Sequence, residues 1–266
     1  MIARCLLVVT FTFFAAVAPA AERVELSLPG RADQAARAVE LFIEMPRGAG
    51  PHPAILLVHG HQIGKRPGGR GYIDDGRLNE LARRGYVAAA VSQPGYGGSD
   101  GPPDFSGPTT QAAIRLALDH LRGLKQVDAK RLALYGFSRG AIASAMVATR
   151  EPSLAAVILV AGIYDLAAAM PSGDPRLDRN IAREAGLSLG AFALRSPLHH
   201  LARYKPRTLI LHGRYDERAP VRQAQVLAAA LRKRKVPVEL KLFDEDHRIP
   251  DRDQWAAVYP FLETRP

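Results

Sequence analysis

The 266-residue chain is poor in sulfur, and Cys5 is its only cysteine. A single thiol cannot form a disulfide within the chain, so the sequence excludes a small scaffold held together by disulfides. A chain of this length can bury a large apolar core instead, and its 47% hydrophobic content is ordinary for a globular protein. We therefore expect buried apolar side chains to hold the fold together.

Long apolar runs are also missing, except near the N-terminus. There Arg4 precedes an apolar run over residues 5–17, and Ala18-Pro19-Ala20 follows it. The run is too short to span a bilayer comfortably, and the pattern is typical of a secretory signal peptide. We predict a signal peptide over residues 1–20 and an exported protein, periplasmic or secreted, with no stable membrane anchor after cleavage near Ala20. An uncleaved N-terminal anchor is the alternative.

Acidic residues are outnumbered, since 26 Asp and Glu face 36 Lys and Arg, which gives a net charge of +10. Most of the basic residues are single arginines between apolar positions. The one dense run, residues 232–235, falls at the end of a predicted helix, where cations complement the helix dipole. This distribution favours a solvated basic surface that helps to attract anionic substrates, and it argues against a nucleic-acid partner.

The histidines lack metal-ligand spacing, so we expect no metal ion and no cofactor.

The apolar pattern predicts an α/β fold. Two early segments alternate between apolar and polar residues and are interpreted as antiparallel edge strands: 23–28 and 37–45. Later runs are apolar without interruption, as in strands buried on both faces of a parallel sheet: 54–58, 86–91, 131–135, 155–161 and 208–211, with 236–242 following. Helical patterns lie between them: 78–84, 110–124, 141–149 and 221–234. We predict one domain over residues 21–266, a doubly wound, mostly parallel sheet with helices on both faces.

Residues 166–195 interrupt this alternation because they are longer than a simple crossover, with a helical pattern over 177–189. We interpret them as a small helical cap over the carboxyl edge of the sheet; a plain surface excursion is the alternative. The segment has four arginines available to a substrate carboxylate: Arg176, Arg179, Arg183 and Arg195. Three acids nearly balance them: Asp174, Asp178 and Glu184. A salt-bridged helical surface is therefore the favoured interpretation.

The pentapeptide Gly136-Phe137-Ser138-Arg139-Gly140 follows a buried strand and opens a helix of small residues. In that position it predicts a nucleophile elbow, in which the two glycines permit a sharp turn and expose the hydroxyl of Ser138. The pattern is short, and an ordinary turn bounded by glycines is the alternative.

A serine hydroxyl needs a base within hydrogen-bonding reach and a third group that orients the base. Asp216 and His247 follow later strands, so the chain order is serine, acid, histidine. We predict that Ser138, His247 and Asp216 form a catalytic triad. The alternatives are a helix-capping role for Asp216 and a surface position for His247, with three reserve candidates: Asp165 as the acid, and His199 or His200 as the base.

An oxyanion hole requires two main-chain N–H groups. Arg139, directly after Ser138, supplies the first. His61 is our choice for the second, because His59-Gly60-His61 follows the strand at 54–58. The same tripeptide is also compatible with a simple turn.

With these motifs the chain resembles the α/β-hydrolase superfamily, and more narrowly the catalytic domain of the prolyl oligopeptidase family together with dienelactone-hydrolase-like esterases. The likeness extends over residues 37–262, and further motifs support it: Arg84-Gly85-Tyr86-Val87, the loop Pro94-Gly95-Tyr96-Gly97-Gly98-Ser99, and Ser196-Pro197-Leu198. There are departures. The oxyanion loop lacks the usual second glycine after His59-Gly60, and only about thirty residues precede the hydrolase core, where the family's oligopeptidases usually carry a propeller.

The resemblance and the candidate residues together predict a serine hydrolase that cleaves ester or amide bonds of a small ester or a short peptide. A carboxylesterase and a small-peptide hydrolase both fit the sequence. A non-catalytic envelope binding protein on the same fold is the alternative from another class.

Overall fold

The computed structural model describes residues 21–30 and 35–264. The predicted signal peptide, residues 1–20, lies outside the described residues. Across the two described ranges, no helix is long and apolar enough to cross a membrane. These ranges contain eight strands: β1 (Glu22–Leu28), β2 (Arg37–Glu44), β3 (His52–Val58), β4 (Val87–Val91), β5 (Val127–Phe137), β6 (Ala156–Val160), β7 (Arg207–Gly213) and β8 (Val238–Phe243).

The strands form one sheet in the order β1-β2-β4-β3-β5-β6-β7-β8. The pairs β1/β2 and β2/β4 are antiparallel, and all the others are parallel. The predicted mostly parallel sheet is thus confirmed. The order places the carboxyl ends of β3, β5, β6, β7 and β8 along the same edge of the sheet, where a site built from several loops can assemble.

The prediction of two N-terminal edge strands is wrong for β2, which lies between β1 and β4. The alternation of the sequence there reflects buried polar residues rather than a solvated face. Glu40 accepts hydrogen bonds from Arg23 and Ser92, and Glu44 accepts one from Asn79. Polar side chains are tolerated in an interior strand when they have such partners.

Eight α-helices accompany the sheet in the described ranges: α1 (Gly71–Asp74), α2 (Arg77–Arg83), α3 (Pro108–Gly123), α4 (Arg139–Ala148), α5 (Pro175–Glu184), α6 (Leu189–Ala193), α7 (Arg222–Lys233) and α8 (Asp251–Glu263). Apolar residues of α3, α4 and α7 pack on one face of the sheet, and those of α2 and α8 pack on the other. The predicted doubly wound arrangement is therefore confirmed. The sequence interpretation missed α8, which contains Pro260, a residue that ordinarily argues against a helix interior.

Burial on both faces explains the uninterrupted apolar strands. In β3, Leu56 and Val58 join the core on the α3 side, whereas Ile55 and Leu57 join the core on the α8 side. All four residues are completely buried. Because successive side chains of a strand point to opposite faces, a strand between two helical layers needs apolar residues at every position.

The segment predicted as a cap contains two helices, α5 and α6, instead of one helical stretch over 177–189. Gly186 separates them with a φ of +78°, which ends α5. Each helix has its own N-cap, because Asp174 accepts a hydrogen bond from the main chain of Arg176 and Ser188 accepts one from Ala191. The two helices rest on a third apolar cluster that includes Ile142, Ile163, Ile181 and Phe192.

Gly140 allows α4 to pack closely against β3. A Cβ atom at this position would overlap the main-chain carbonyl of Val58, which cannot move without disturbing the strand. We expect Gly140→Ala to lower the free energy of unfolding by about 1–3 kcal/mol in urea denaturation. Gly190→Ala is the matched control, because Gly190 lies in α6 and no atom lies near the methyl group that would be added. The free energy of unfolding of this variant should be unchanged or slightly higher. Equal unfolding free energies for the two variants would contradict this account.

Candidate active site

Ser138 lies in the sharp turn between β5 and α4. Its φ of 53° and ψ of −117° belong to a region that residues with a side chain rarely adopt. The turn is held by a hydrogen bond of 2.7 Å from the N–H of Ser138 to the carbonyl of Val160 in β6. A Cβ atom at Gly136 would overlap the carbonyl of Gly140, so the turn requires glycine there. The local backbone thus has the geometry that the pentapeptide predicts.

The structure brings Ser138, His247 and Asp216 together. Asp216 lies in the loop after β7, and His247 lies in the loop after β8. His247 Nε2 is 2.9 Å from the Oγ of Ser138, and His247 Nδ1 is 2.8 Å from Oδ2 of Asp216. With the Nδ1 proton donated to the carboxylate, Nε2 is free to accept the serine proton.

Asp216 is only 5% exposed, yet its surroundings favour the ionised form. Burial alone would raise the pKa of this carboxyl group, but hydrogen bonds from His212 and His247 outweigh burial and hold the pKa well below its usual range. The main-chain N–H groups of Arg218 and Ala219 donate to Oδ1 at 3.0 and 2.9 Å. A carboxylate fixed in this way can accept the Nδ1 proton of His247 at 2.8 Å.

His212 is a contributor that sequence reasoning missed. It is fully buried at the end of β7, with Nε2 at 2.6 Å from the carbonyl oxygen of Ala219 and 3.3 Å from Oδ2 of Asp216. His212 therefore stabilises the loop after β7, which contains Asp216 and Ala219, through these two contacts. The available signal was its spacing, four residues before Asp216 at the end of a buried strand.

The reserve candidates lie elsewhere. Asp165 accepts a hydrogen bond from Ala168 and lies 3.6 Å from His199 Nε2. His200 contacts the carbonyl oxygen of Ala193 at 2.8 Å. None of Asp165, His199 and His200 lines the cavity at Ser138. The geometry thus separates the favoured acid and base from their alternatives.

Arg139 and His61, the two residues expected to supply oxyanion donors, line the same cavity as Ser138. In the part of the chain that the structure describes, neither main-chain N–H has a hydrogen-bond acceptor. Free main-chain donors beside a nucleophile are what an oxyanion hole requires. Their role in the reaction stays a prediction.

The side chains of these two residues are joined by Tyr96, which the sequence placed only in a glycine-rich loop. The hydroxyl of Tyr96 accepts a hydrogen bond of 2.9 Å from Nη1 of Arg139 and lies 3.0 Å from Nδ1 of His61. Tyr96 is 1% exposed. Burial, followed by the positive charge of Arg139, lowers the pKa of His61 and favours its neutral ring. One buried hydroxyl therefore connects the two loops that carry the candidate oxyanion donors.

The cap is attached to this connection. Glu184, at the end of α5, forms a buried ion pair with Arg139, and both side chains are almost completely inaccessible to solvent. Asn180 of the same helix lies 3.5 Å from Nε2 of His61. The cap thus contacts both candidate oxyanion residues. Arg139 therefore contributes its side chain to the site as well as its main chain, a contact that the sequence did not predict.

The cavity in front of Ser138 has a volume of about 100 Å³. Its wall beside Ser138 is mainly apolar and includes Phe105, Ile142, Ile163 and Leu177. Charged residues also line it: Arg139, Asp174, Arg176 and Arg218. The cavity is of a size for a small apolar group next to a polar rim.

The charges of the cap pair with one another only in part, since Arg183 lies 3.2 Å from Oε1 of Glu184. Arg195 is buried and donates to the carbonyl oxygens of Asp104, Phe105 and Ala191. It fastens the cap to the loop before α3 and is not available to a substrate.

Among the described residues, no group of three or more His, Cys, Asp or Glu side chains is arranged to hold a metal ion.

Comparisons with known proteins agree with this geometry. A sequence model of the prolyl oligopeptidase family, Peptidase_S9, matches residues 107–264. The chain is 25% identical over 197 residues to an uncharacterized peptidase, YtmA, of Bacillus subtilis (strain 168), a match that covers 71% of this chain and 75% of that protein.

Solved structures show the same fold at lower sequence identity. Dipeptidyl peptidase 4 of Porphyromonas gingivalis superposes with a TM-score of 0.73 at 20% identity, over 93% of this chain. The chain spans only 36% of the length of that peptidase. Acetyl xylan esterase 1 from Thermoanaerobacterium sp. JW/SL YS485 superposes with a TM-score of 0.69 at 18% identity, over 94% of this chain and 85% of the esterase. The predicted α/β-hydrolase fold is confirmed.

Removal of the hydroxyl that joins Arg139 and His61 should loosen the oxyanion site. We expect Tyr96→Phe to lower kcat for a 4-nitrophenyl ester about ten-fold while KM stays within about two-fold, because oxyanion donors act mainly in the transition state. Tyr204→Phe is the matched control: Tyr204 is also buried, and its hydroxyl has one partner, Thr208, at 2.8 Å. Equal kcat values for the two folded variants would show that the connection through Tyr96 does not position the donors.

Proposed function

Since the chain belongs to the prolyl oligopeptidase family and is a serine hydrolase, a peptidase or an esterase, we propose that Ser138, His247 and Asp216 are its catalytic triad. The observation that carries this proposal is the pair of hydrogen bonds, 2.9 and 2.8 Å, that joins the three side chains in the order required for acyl transfer. The substrates are small esters or short peptides, in keeping with the limited volume of the cavity.

The reaction follows from these positions. His247 Nε2 takes the proton of Ser138 as its Oγ attacks the carbonyl carbon of the ester or amide. The main-chain N–H groups of Arg139 and His61 hold the resulting oxyanion. His247 then gives the proton to the leaving alcohol or amine, and the acyl group stays on Ser138. Water, activated by the same histidine, attacks the acyl-enzyme, which releases the acid and restores the serine.

Asp216 acts through His247 in this scheme. Its charge stabilises the imidazolium that forms in both halves of the reaction, and its acceptor oxygen keeps the Nδ1 proton in place. His212 and two main-chain N–H groups fix the carboxylate in turn. The family includes peptidases and the fold also serves an esterase, so we propose both amines and alcohols as leaving groups.

Variants of the triad test the proposal directly. Ser138→Ala and His247→Gln should each lower kcat for a short 4-nitrophenyl ester by about 10⁴-fold or more, and Asp216→Asn by about 10⁴-fold. Asp165→Asn, which changes the reserve acid outside the cavity, should keep kcat within about two-fold of the unchanged protein.

Labelling by a fluorophosphonate probe provides the second measurement, because the probe reacts only with an activated serine. The wild-type chain and Asp165→Asn should be labelled, and Ser138→Ala should not. A correctly folded wild-type protein that neither turns over esters or amides nor reacts with the probe would contradict the proposal and favour a non-catalytic binding protein.

We further propose that the enzyme is exported and acts in the periplasm or outside the cell. The support is the order of Arg4, the apolar run 5–17 and Ala18-Pro19-Ala20 in the sequence. Mass spectrometry of the protein expressed with its native N-terminus should find a chain that begins at Ala21 in the exported fraction. A full-length chain found only in the cytoplasm would exclude export.

A further inference from the structure

A second cavity of about 470 Å³ adjoins the candidate active site, between the loop after β3 and helix α5. We refer to it as the arginine groove, because four arginines line it: Arg66, Arg176, Arg179 and Arg183. All four side chains are exposed to solvent. No Asp or Glu is among the residues that line the groove. Such a concentration of one charge in a concave surface attracts anions.

Three of these arginines form no ion pair among the described residues, although the charge of Arg176 does act on the nearby carboxylate of Asp174. Arg183 lies 3.2 Å from Oε1 of Glu184, but within the described ranges Arg66, Arg176 and Arg179 form no ion pair. Arg66 lies instead over the ring of Tyr96, with its guanidinium carbon 5.4 Å from the ring centre. Guanidinium groups that are not neutralised by the protein are available to a ligand.

The acids that could neutralise the groove have other partners. Asp178 accepts a hydrogen bond of 2.9 Å from the main-chain N–H of Ser172. Glu184 points inward to Arg139. Asp174 lies 3.3 Å from Nε of Arg218 and also caps α5. The lining of the groove therefore contains four arginines and no acid, although Asp174 and Asp178 lie in the same segment of the chain.

The groove shares part of its lining with the cavity at Ser138. Four residues line both: His61, Ile63, Arg176 and Asn180. The lining of the cavity at Ser138 also includes Ile142, Ile163 and Leu177. A ligand that occupies both the cavity and the groove would therefore contact apolar side chains as well as Arg176.

We propose that the arginine groove binds a carboxylate at the far end of the acyl portion of the substrate. We assign the groove to the acyl portion, which becomes bonded to Ser138, rather than to the leaving group. The preferred substrate has an apolar segment next to the scissile carbonyl and a carboxylate beyond it. Arginine suits this task because its planar donors match the two oxygens of a carboxylate. This inference rests on the proposed function of Ser138.

Three esters with the same 4-nitrophenol leaving group test the inference: the half-ester of adipic acid, the hexanoate and the 6-aminohexanoate. They differ mainly in the charge at the far end of a similar chain. We expect kcat/KM for the adipate to exceed that for the hexanoate about ten-fold, and the aminohexanoate to be the poorest. The preference for the adipate should shrink when the salt concentration is raised to about 0.5 M, where the Debye length is about 4 Å. Salt screens the charges of the groove because they are exposed to solvent.

Variants of the groove complete the test. Arg176→Gln combined with Arg179→Gln should reduce the ratio of adipate to hexanoate turnover about ten-fold. Arg232→Gln is the matched control, an exposed arginine near the end of α7 outside the groove, and it should keep the wild-type ratio.

The outcomes separate the two proposals. Hexanoate turnover without a preference for the adipate, or a preference that survives the double substitution, would overturn the inference and leave the triad intact. Absence of turnover with all three esters and with amide substrates would overturn the proposed function, and the inference with it.

Discussion

The strained backbone at Ser138 is the feature on which the rest of the site depends. Its φ of 53° is held by the hydrogen bond to Val160 and by the close approach of Gly136 and Gly140. Such strain persists only where the surrounding structure determines it. Here the parallel sheet supplies that determination, because Phe137 is in register with Val160 of the neighbouring strand.

The register of the neighbouring strands also places Asp216 and His247 close to Ser138. Val160 pairs with Leu211 in β7, and Gly213 pairs with Phe243 in β8. Asp216 and His247 each follow their strand by only a few residues, so little loop freedom separates them from Ser138. Chain order and strand ends therefore sufficed to predict the three residues from the sequence. In a parallel sheet, the loops that follow the strands all lie at the same edge, so residues directly after different strands come close together.

Features that depend on side-chain direction were not predictable in this way. The sequence shows Arg176 and Arg179 beside Asp174 and Asp178, but not that the carboxylates turn toward a helix N-terminus and a loop N–H. A polar alternation suggested a solvated edge strand, whereas Glu40 is buried with hydrogen-bond partners. The periodicity of a sequence predicts which residues share a face of a helix or strand. It does not predict which partner each charged side chain contacts, and those contacts determine which arginines of the cap remain without an ion pair.

The link from Glu184 through Arg139 and Tyr96 to His61 gives the cap a role beyond covering the site. A buried ion pair carries a large desolvation cost and is weak evidence of stabilisation by itself. Its position is therefore the informative property: it fixes the first residue of α4 against the last residue of α5. Because α5 also carries Arg176 and Arg179, the helix proposed to recognise the acyl group is the one that contacts Arg139, a candidate oxyanion residue. A shift of the whole of α5 would therefore change substrate binding and transition-state stabilisation together.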